Sequence, residues 1–307
     1  MISDHAVDVA ASLVGRLGSC DLRLVGVAAG FQVGNAACRA GAWANVLRAA
    51  VPQAPPRRRR VACAYLLGAG ANAVVPTHVG DVLKAAVVRK DTPEATLPGI
   101  FASLALISMT EFALGILALV AVALTIGLPP VPVPSWLLTA LLVALPVVVV
   151  AALAAHRRLG GRLASLRRSV AQGLAVVRTP GRFLREVVSL LALGWILRVA
   201  SVLVLLHAFG IRASLATTLL VIVASGLSGA LSLTPGGAGT QQLTLVYVLH
   251  GTASAAAALS YSLGSQAEVA MLNCTLAFGV LMILARTMRP AAAWRSGRAL
   301  LAQVRAG

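Results

Sequence analysis

The stretch SLTPGGAGTQQLTLV, from Ser232 to Val246, interrupts a long apolar run with one proline and three glycines. No Asp, Glu, Lys or Arg occurs from Ala213 to Ala267. A soluble protein places such a break in a surface turn, where water satisfies the free backbone groups. Within a membrane, non-helical backbone is tolerated only where protein buries it or where it lines a wet cavity. The stretch therefore predicts a broken helix that faces a polar cavity inside the protein.

The composition of the whole chain is that of a membrane protein. Of its 307 residues 59% are hydrophobic and 11% are charged, and the mean hydropathy is +0.89, far from the average of globular domains. A helix needs about 20 residues to cross the hydrocarbon. We predict an all-α polytopic protein, whose long apolar runs lie at about 25–48, 99–127, 136–155, 187–208, 214–249 and 253–285.

The basic residues predict the topology. Lys and Arg gather in cytoplasmic loops, and in this chain they cluster at residues 57–60, 84–90, 157–185 and 286–305. Topology therefore accounts for the net charge of +17, and no nucleic acid partner is predicted. The excess of Ala, and of Arg over Lys, is typical of GC-rich bacterial genomes. We predict a multi-pass protein of the bacterial cytoplasmic (plasma) membrane.

Two segments do not fit a simple series of crossings. Residues 62–84 have basic clusters at both ends, so both ends belong in the cytoplasm and the segment dips in and returns. Residues 214–249 need both ends outside if the last helix is to deliver the basic tail inside, and their turn falls at Pro235–Gly239. A full crossing by Ser214–Ser232 remains the alternative, because about 20 residues span the hydrocarbon.

The interrupted segments lie at matching places in two halves of the sequence. Arg39 lies 37 residues before Pro76, and Arg198 lies 37 residues before Pro235. These are single arginines inside apolar helices, and each is followed by a break. The spacing predicts an internal repeat with a shift of 159 residues.

Further markers follow the same shift. Gly80 falls on Gly239, and the only two acidic residues inside the later apolar runs, Glu111 and Glu268, take similar places. Each half is predicted to contain a helix with one Arg, a Pro/Gly-broken re-entrant pair and a helix with one Glu. The halves enter the membrane from opposite sides, which is the inverted-repeat plan of many transporters.

This plan divides the chain into five parts. Residues 1–21 form an N-terminal interfacial segment, and residues 22–127 form the first repeat of helix, re-entrant pair and helix. Residues 128–186 hold a linking transmembrane helix and a basic cytoplasmic loop. Residues 187–286 form the second repeat, and residues 287–307 form a basic cytoplasmic tail.

Three motifs resemble the lysylphosphatidylglycerol synthase transmembrane region, also called the flippase-like domain family. NAVVPTHVGDVLK, Asn72–Lys84, resembles the family's pattern of Asn, Pro, Gly-acid and basic residue. LTPGGAGTQQ, Leu233–Gln242, resembles its Pro-Gly-Gly-x-Gly signature, and LLHAFGI, Leu205–Ile211, resembles the segment before it. Order and spacing agree across roughly Leu22 to Arg286. The resemblance implies a membrane module that moves, or helps to process, lipid-linked head groups.

The sequence departs from the family's pattern at four positions. His78 stands where the family usually has Arg, Asp81 replaces Glu, and Lys84 replaces Arg, so that polarity or charge is kept. Gln242 replaces the Glu after the glycines and removes a titratable group. This last difference argues against a proton-linked role for the second motif.

The candidate substrate-binding residues would bring hydrogen-bond donors and positive charge to a phosphate. Glycine amides at a helix start approach an anion closely, and ionised groups inside apolar helices usually face a cavity or a partner. The set is Arg39, Asn72, Pro76, His78, Gly80, Asp81, Lys84, Arg198, Pro235, Gly236, Gly237, Gly239 and Gln242.

Structural readings of the same residues remain open. The two breaks are helix kinks in that reading, and the two arginines pair with Glu111 or Glu268, which either neutralise them or carry protons. Asn72 hydrogen-bonds either to substrate or to backbone groups that lose their helical partners at the break. Lys84, near the cytoplasmic end, either joins the substrate path or snorkels to the interface.

No catalytic residue, cofactor or metal site is predicted. The sequence contains no nucleotide-binding phosphate loop, its four cysteines are scattered, and the residues beyond 286 form only a short tail, so we expect no aminoacyl-transferase domain. We predict a lipid flippase or transporter that moves a phospholipid or lipid-linked head group through a midplane polar cavity. The alternatives are a membrane-embedded transferase on a lipid-linked substrate, with Asp81 as its best acid or base, and an accessory subunit of a separate synthase.

Overall fold

The structure is a computed structural model that describes residues 20–75, 79–125, 164–231, 239–284 and 298. All regular elements in these ranges are helical. They are α1 (Leu22–Ala50), α2 (Arg58–Val74), α3 (Val79–Asp91), α4 (Leu97–Thr125), α5 (Ala164–Gly173), a 3-10 turn (Ala175–Arg178), α6 (Pro180–Ala208), α7 (Leu215–Leu231), α8 (Thr240–Val248) and α9 (Ala255–Leu284).

Three of the described helices are long and apolar enough to cross a membrane by length and composition, namely α4, α6 and α9. The apolar part of α7 is shorter, at Leu215–Gly226. The all-α membrane fold is thereby confirmed for the described residues. The predicted apolar run at 136–155 lies outside them, while the two interrupted segments contain α2 with α3 and α7 with α8.

Local signals explain where α1 begins and ends. Asp21 caps the helix, because its carboxylate accepts hydrogen bonds from the backbone N–H groups of Arg23 (2.9 Å) and Leu24 (3.4 Å). At the other end the chain leaves the helix at Val51, immediately before Pro52, since a residue before proline is disfavoured in helical geometry.

Helices α1 and α6 form the centre of the molecule and run antiparallel. Near the start of α1, the Ala28 carbonyl accepts a hydrogen bond of 2.9 Å from the Ser201 hydroxyl, near the end of α6. Near the end of α1, the Asn45 side chain donates to the Glu186 carbonyl at 2.7 Å, near the start of α6. The two helices therefore pack on each other along most of their length.

Small residues allow this close packing. A Cβ atom built on Gly194 would lie 3.1 Å from Asn35 Oδ1 and 3.3 Å from Cys38 Cβ. One built on Gly34 would lie 3.0 Å from Leu197 Cδ1. Within a membrane, where lipid tails are as apolar as the side chains, such close backbone approach is a main source of helix association.

Two hydrophobic clusters lie at opposite ends of the α1–α6 pair. The first cluster includes the buried side chains of Trp43, Leu47 and Ile100, and the second includes Leu206 and Leu245. The second half of α1 contributes to the first cluster, and the last turns of α6 contribute to the second. The middle of both helices lies between the two clusters.

The outer helices pack across the two halves. Helix α2 lies against α9, where a Cβ atom on Gly70 would be only 2.3 Å from Ala277 Cβ. Helix α4 lies against α7, where Val122 packs with Ala216 and Leu219. The helix with Glu268, α9, therefore contacts α2, and the helix with Glu111, α4, contacts α7.

Candidate functional site

The charged residues predicted inside the helices lie near the midpoints of α1, α4, α6 and α9. Glu111 is at the midpoint of α4, and Glu268 lies near the midpoint of α9. Arg39 and Arg198 lie one turn beyond the midpoints of α1 and α6. Arg39 and Glu111 are in contact, and Arg198 lies near enough to both for their charges to influence it. We call these four residues the charged layer.

Arg39 and Glu111 form a two-point ion pair. Nη2 of Arg39 donates to Oε2 of Glu111 at 2.6 Å, and Nε lies 2.5 Å from Oε1. The Glu111 side chain is 14% exposed. Within the described residues Nε forms no hydrogen bond, so one hydrogen bond and the attraction of opposite charges hold the pair together. The positive charge of Arg39 is therefore compensated within the protein, as the structural reading of this residue predicts.

Trp195 attaches α6 to α4 beside this pair. Its indole Nε1 donates to the backbone carbonyl of Glu111 at 3.0 Å. The ring packs on Gly115, where a Cβ atom would lie 2.6 Å from it. The Arg198 guanidinium carbon lies 5.7 Å from the centroid of the same ring, which is within cation–π range.

Arg198 forms no salt bridge with an acidic residue in the described part of the chain. It is half-buried, and among the residues that the structure describes none forms a salt bridge or hydrogen bond with its guanidinium. Its contact with Trp195 leaves the donor edges of the guanidinium unused. Unlike Arg39, Arg198 thus has no carboxylate in direct contact among the described residues, although Glu111 is near enough to influence its charge.

Glu268 also has an unsatisfied carboxylate oxygen in the described part of the chain. Its side chain is buried, with 7% of its surface exposed, and Oε1 has no hydrogen-bond partner within the described ranges. The hydroxyl-bearing ring of Tyr261, two turns earlier on α9, lies within electrostatic range of both Glu268 and Arg198. The Arg198–Glu268 pairing that corresponds to Arg39–Glu111 is absent from the described contacts.

The first motif holds the α2–α3 pair together. Asn72 accepts a hydrogen bond of 2.7 Å from the backbone N–H of Gly80. A Cβ atom on Gly80 would lie 1.9 Å from the Gly68 carbonyl oxygen, so only glycine fits. Asn72 therefore binds freed backbone in this structure, and the Gly80 amide is occupied. Pro76 and His78 lie outside the described residues.

Lys84 does not snorkel to the interface. It is 8% exposed, its Nζ donates to Asp81 Oδ1 at 2.8 Å, and it lies 4.9 Å from the centroid of Tyr65. Arg39 lies over the same ring, with its guanidinium carbon 5.9 Å from the centroid. The tight α2–α3 packing buries the aliphatic part of the Lys84 side chain. The face of the Tyr65 ring and the Asp81 carboxylate stabilise its ammonium group.

The second motif begins α8 in a comparable way. Gly239 has φ +91°, a conformation that other residues rarely adopt, and its N–H donates to Gln242 Oε1 at 2.6 Å. Gln242 Nε2 donates to Gln266 at 3.1 Å, and Gln266 donates to Gln241 at 2.7 Å. A neutral amide performs this capping as well as a carboxylate does. Residues 235–237 lie outside the described part of the chain.

Sequence reasoning missed three aromatic residues of the site. Tyr65, Trp195 and Tyr261 contact, or lie within electrostatic range of, the arginines of the charged layer. The available signal was their rarity, because aromatic residues make up only 4% of the chain. An aromatic residue at the centre of an otherwise aliphatic helix therefore marks a place that merits inspection.

Comparison with known proteins supports the resemblance drawn from the motifs. The family model described as lysylphosphatidylglycerol synthase TM region matches residues 8–296, nearly the whole chain. No curated protein matches the chain.

Proposed function

The chain belongs to the lysylphosphatidylglycerol synthase TM region family, and on this premise we propose that it moves a lipid with a phosphate-containing head group between the two leaflets. The family relates this membrane protein to lipid synthases and flippase-like domains. The activity itself is argued from the charged layer. In the proposed path the head group crosses between the two hydrophobic clusters while its acyl tails stay in the lipid.

The observation that carries the proposal is the unpaired guanidinium of Arg198. An arginine at the centre of a membrane helix costs roughly 2.5 to 3.5 kcal/mol on insertion scales. Arg39 lowers this cost by pairing with Glu111, whereas Arg198 has no such pair in the described structure. Since a planar guanidinium binds phosphate through two parallel hydrogen bonds, a lipid phosphate is the ligand that best offsets the cost.

Element lengths support the inverted repeat on which this path depends. Helices α1 and α6 each have 29 residues and start 158 positions apart, at Leu22 and Pro180. The described parts of α2 and α7 have 17 residues each, and those of α4 and α9 have 29 and 30. Corresponding helices thus agree in length and order.

The packing supports the same repeat. Exchange of α1 with α6, α2 with α7, and α4 with α9 converts the α2–α9 contact into the α7–α4 contact, and both occur. The same exchange maps the antiparallel α1–α6 pair onto itself. This is the relation expected of halves that enter the membrane from opposite sides, with a site near the midplane.

Leaflet exchange in proteoliposomes tests the proposal. We expect the wild-type protein to exchange fluorescent phosphatidylglycerol and Arg198→Ala to lose this activity. The matched control is Arg212→Ala, which removes an exposed arginine of the same half and should leave exchange unchanged. Parallel assays with phosphatidylcholine and a sugar-linked lipid phosphate identify the preferred head group. Competition by inorganic phosphate shows whether free phosphate uses the same site.

Two results would contradict the proposal. Exchange at the wild-type rate by Arg198→Ala would remove this residue from the path. Folded protein that exchanges no lipid would argue against a flippase, in which case chemical product formation from a lipid-linked substrate would favour the transferase. Co-purification with a synthase would favour the accessory role.

A further inference from the structure

The charged layer is symmetric in sequence and asymmetric in structure. Each half places one arginine and one glutamate near the middle of its long helices. The first half has closed its pair, since Arg39 contacts both carboxylate oxygens of Glu111. The second half has not, since Arg198 and Glu268 lack ionic partners in the described structure. If the two halves are related as proposed, this difference shows the same arginine–glutamate arrangement in a closed state in the first half and in an open state in the second.

The closed pair occupies what would otherwise be a phosphate site. The two Glu111 oxygens contact Nη2 and Nε of Arg39, which are also the atoms that bind two oxygens of a phosphate. A second cation, the buried Lys84, shares the Tyr65 ring with Arg39. If Glu111 left, an anion arriving there would meet a guanidinium in a pocket already lined by an aromatic face.

We propose that Arg39 is a second phosphate site, which Glu111 closes in this structure, and that Glu268 closes the Arg198 site when the Arg39 site opens. The ligand class is the phosphate diester of a lipid head group. The inference rests on the proposed function, because it assigns the two halves of the charged layer to two successive positions of the same lipid. Each glutamate acts as a replaceable stand-in for the lipid phosphate.

Opening of an arginine–glutamate pair is favourable only when another anion replaces the glutamate. An ion pair in the membrane interior is costly to open because it leaves an unpaired charge on each side. A lipid phosphate on Arg198 favours the present state, and one on Arg39 favours the opposite state, so the lipid shifts the balance by its differential affinity. In each proposed state, the arginine that holds no lipid pairs with the glutamate of its own half, Arg39 with Glu111 or Arg198 with Glu268.

The number of lipid sites tests the first half of the proposal. Isothermal titration calorimetry with short-chain phosphatidylglycerol in detergent micelles should give one site for the wild type. Glu111→Gln, which removes the competing charge with little change in shape, should give two sites. Glu111→Gln combined with Arg39→Ala should return to one. The matched control Glu186→Gln, the same change at a carboxylate that pairs with Arg182 outside the charged layer, should keep one site.

The outcomes separate this inference from the proposed function. A single site in folded Glu111→Gln protein, verified by an unfolding transition like that of the wild type, would overturn the second site. Wild-type protein that binds no lipid, or binds it equally after Arg198→Ala, would refute the proposed function. Inorganic phosphate titrated in the same way shows whether the added site needs the lipid or the phosphate alone.

The rate of leaflet exchange tests the second half of the proposal. Glu268→Gln should bind one lipid with wild-type affinity, but it cannot close the Arg198 site. Leaflet exchange by Glu268→Gln should therefore be severalfold slower than exchange by the wild type. A residue with a merely structural role would lower binding and exchange together. Exchange at the wild-type rate by folded Glu268→Gln would overturn the alternation.

Discussion

The contact between Gly80 and Gly68 leads to the sharpest prediction about stability. A Cβ atom on Gly80 would lie 1.9 Å from the Gly68 carbonyl oxygen and 2.6 Å from Asn72 Oδ1. The first obstacle is backbone, which cannot rotate away as a side chain can. Gly80→Ala must therefore push α2 and α3 apart, and it must lengthen the hydrogen bond between the Gly80 amide and Asn72.

The expected cost follows from three contributions. Overpacking costs about 1 to 3 kcal/mol, and loss of a hydrogen bond from a buried amide costs about 1 to 3 kcal/mol. Alanine returns up to about 1 kcal/mol because it favours the helix over glycine. The net loss in the free energy of unfolding is about 1 to 6 kcal/mol, enough to lower the unfolding midpoint measurably.

Thermal unfolding in detergent micelles measures this effect. The matched control is Gly26→Ala in α1, because nothing lies within 4 Å of a Cβ atom at that position. Gly26→Ala should unfold at or above the wild-type temperature, and Gly80→Ala should unfold below it. If Gly80→Ala matched its control, the close packing of α2 on α3 in this structure would be refuted.

Three further predictions concern the two broken pairs and use the same unfolding assay. Asn72→Ala should lower the free energy of unfolding by about 0.5 to 2 kcal/mol, because it removes the acceptor of the Gly80 amide. Asn72→Asp keeps an acceptor and should lower it less. Equal losses in the two variants would contradict this role of Asn72. Gly239→Ala should cost about 1 to 3 kcal/mol because of its positive φ, while Gly226→Ala, in open space, should be neutral or stabilising. Lys84→Met should destabilise the protein, because it leaves Asp81 without its cation. The double variant Lys84→Met with Asp81→Asn should recover part of this loss. If the effects of the two substitutions on the free energy of unfolding were simply additive, the ion pair would be ruled out.

Local sequence signals were sufficient for much of the fold. Apolar length predicted the candidate spans α4, α6 and α9, whereas the run at 25–48 forms the helix α1, which is not among the candidate spans. Pro/Gly punctuation predicted that α2 ends and α3 begins within residues 62–84 and that α8 begins within 214–249, because both signals depend on chemistry within a few residues. The single arginines and glutamates were also recognisable, since ionised groups are rare in apolar helices. Which of them meet, however, depends on how the helices pack.

Contacts between distant segments could not be predicted in the same way. The sequence offered two glutamates for each arginine, and only the packing of α4 on α1 and α6 determines that Arg39 takes Glu111. Lys84 is buried because α3 folds back on α2, which positive charge near a basic cluster does not reveal. The aromatic contacts of Tyr65 and Trp195 likewise arise from side chains brought together across the bundle.

Trp195 reports directly on the proposed binding of a lipid phosphate to Arg198, because its ring lies 5.7 Å from the guanidinium carbon. We would titrate short-chain phosphatidylglycerol into detergent-solubilised protein and follow tryptophan fluorescence, with Trp195→Phe identifying the part of the signal from this ring. A saturable change that disappears in Arg198→Ala and persists in Arg212→Ala is the predicted result. The same change in Arg198→Ala would contradict the proposed binding.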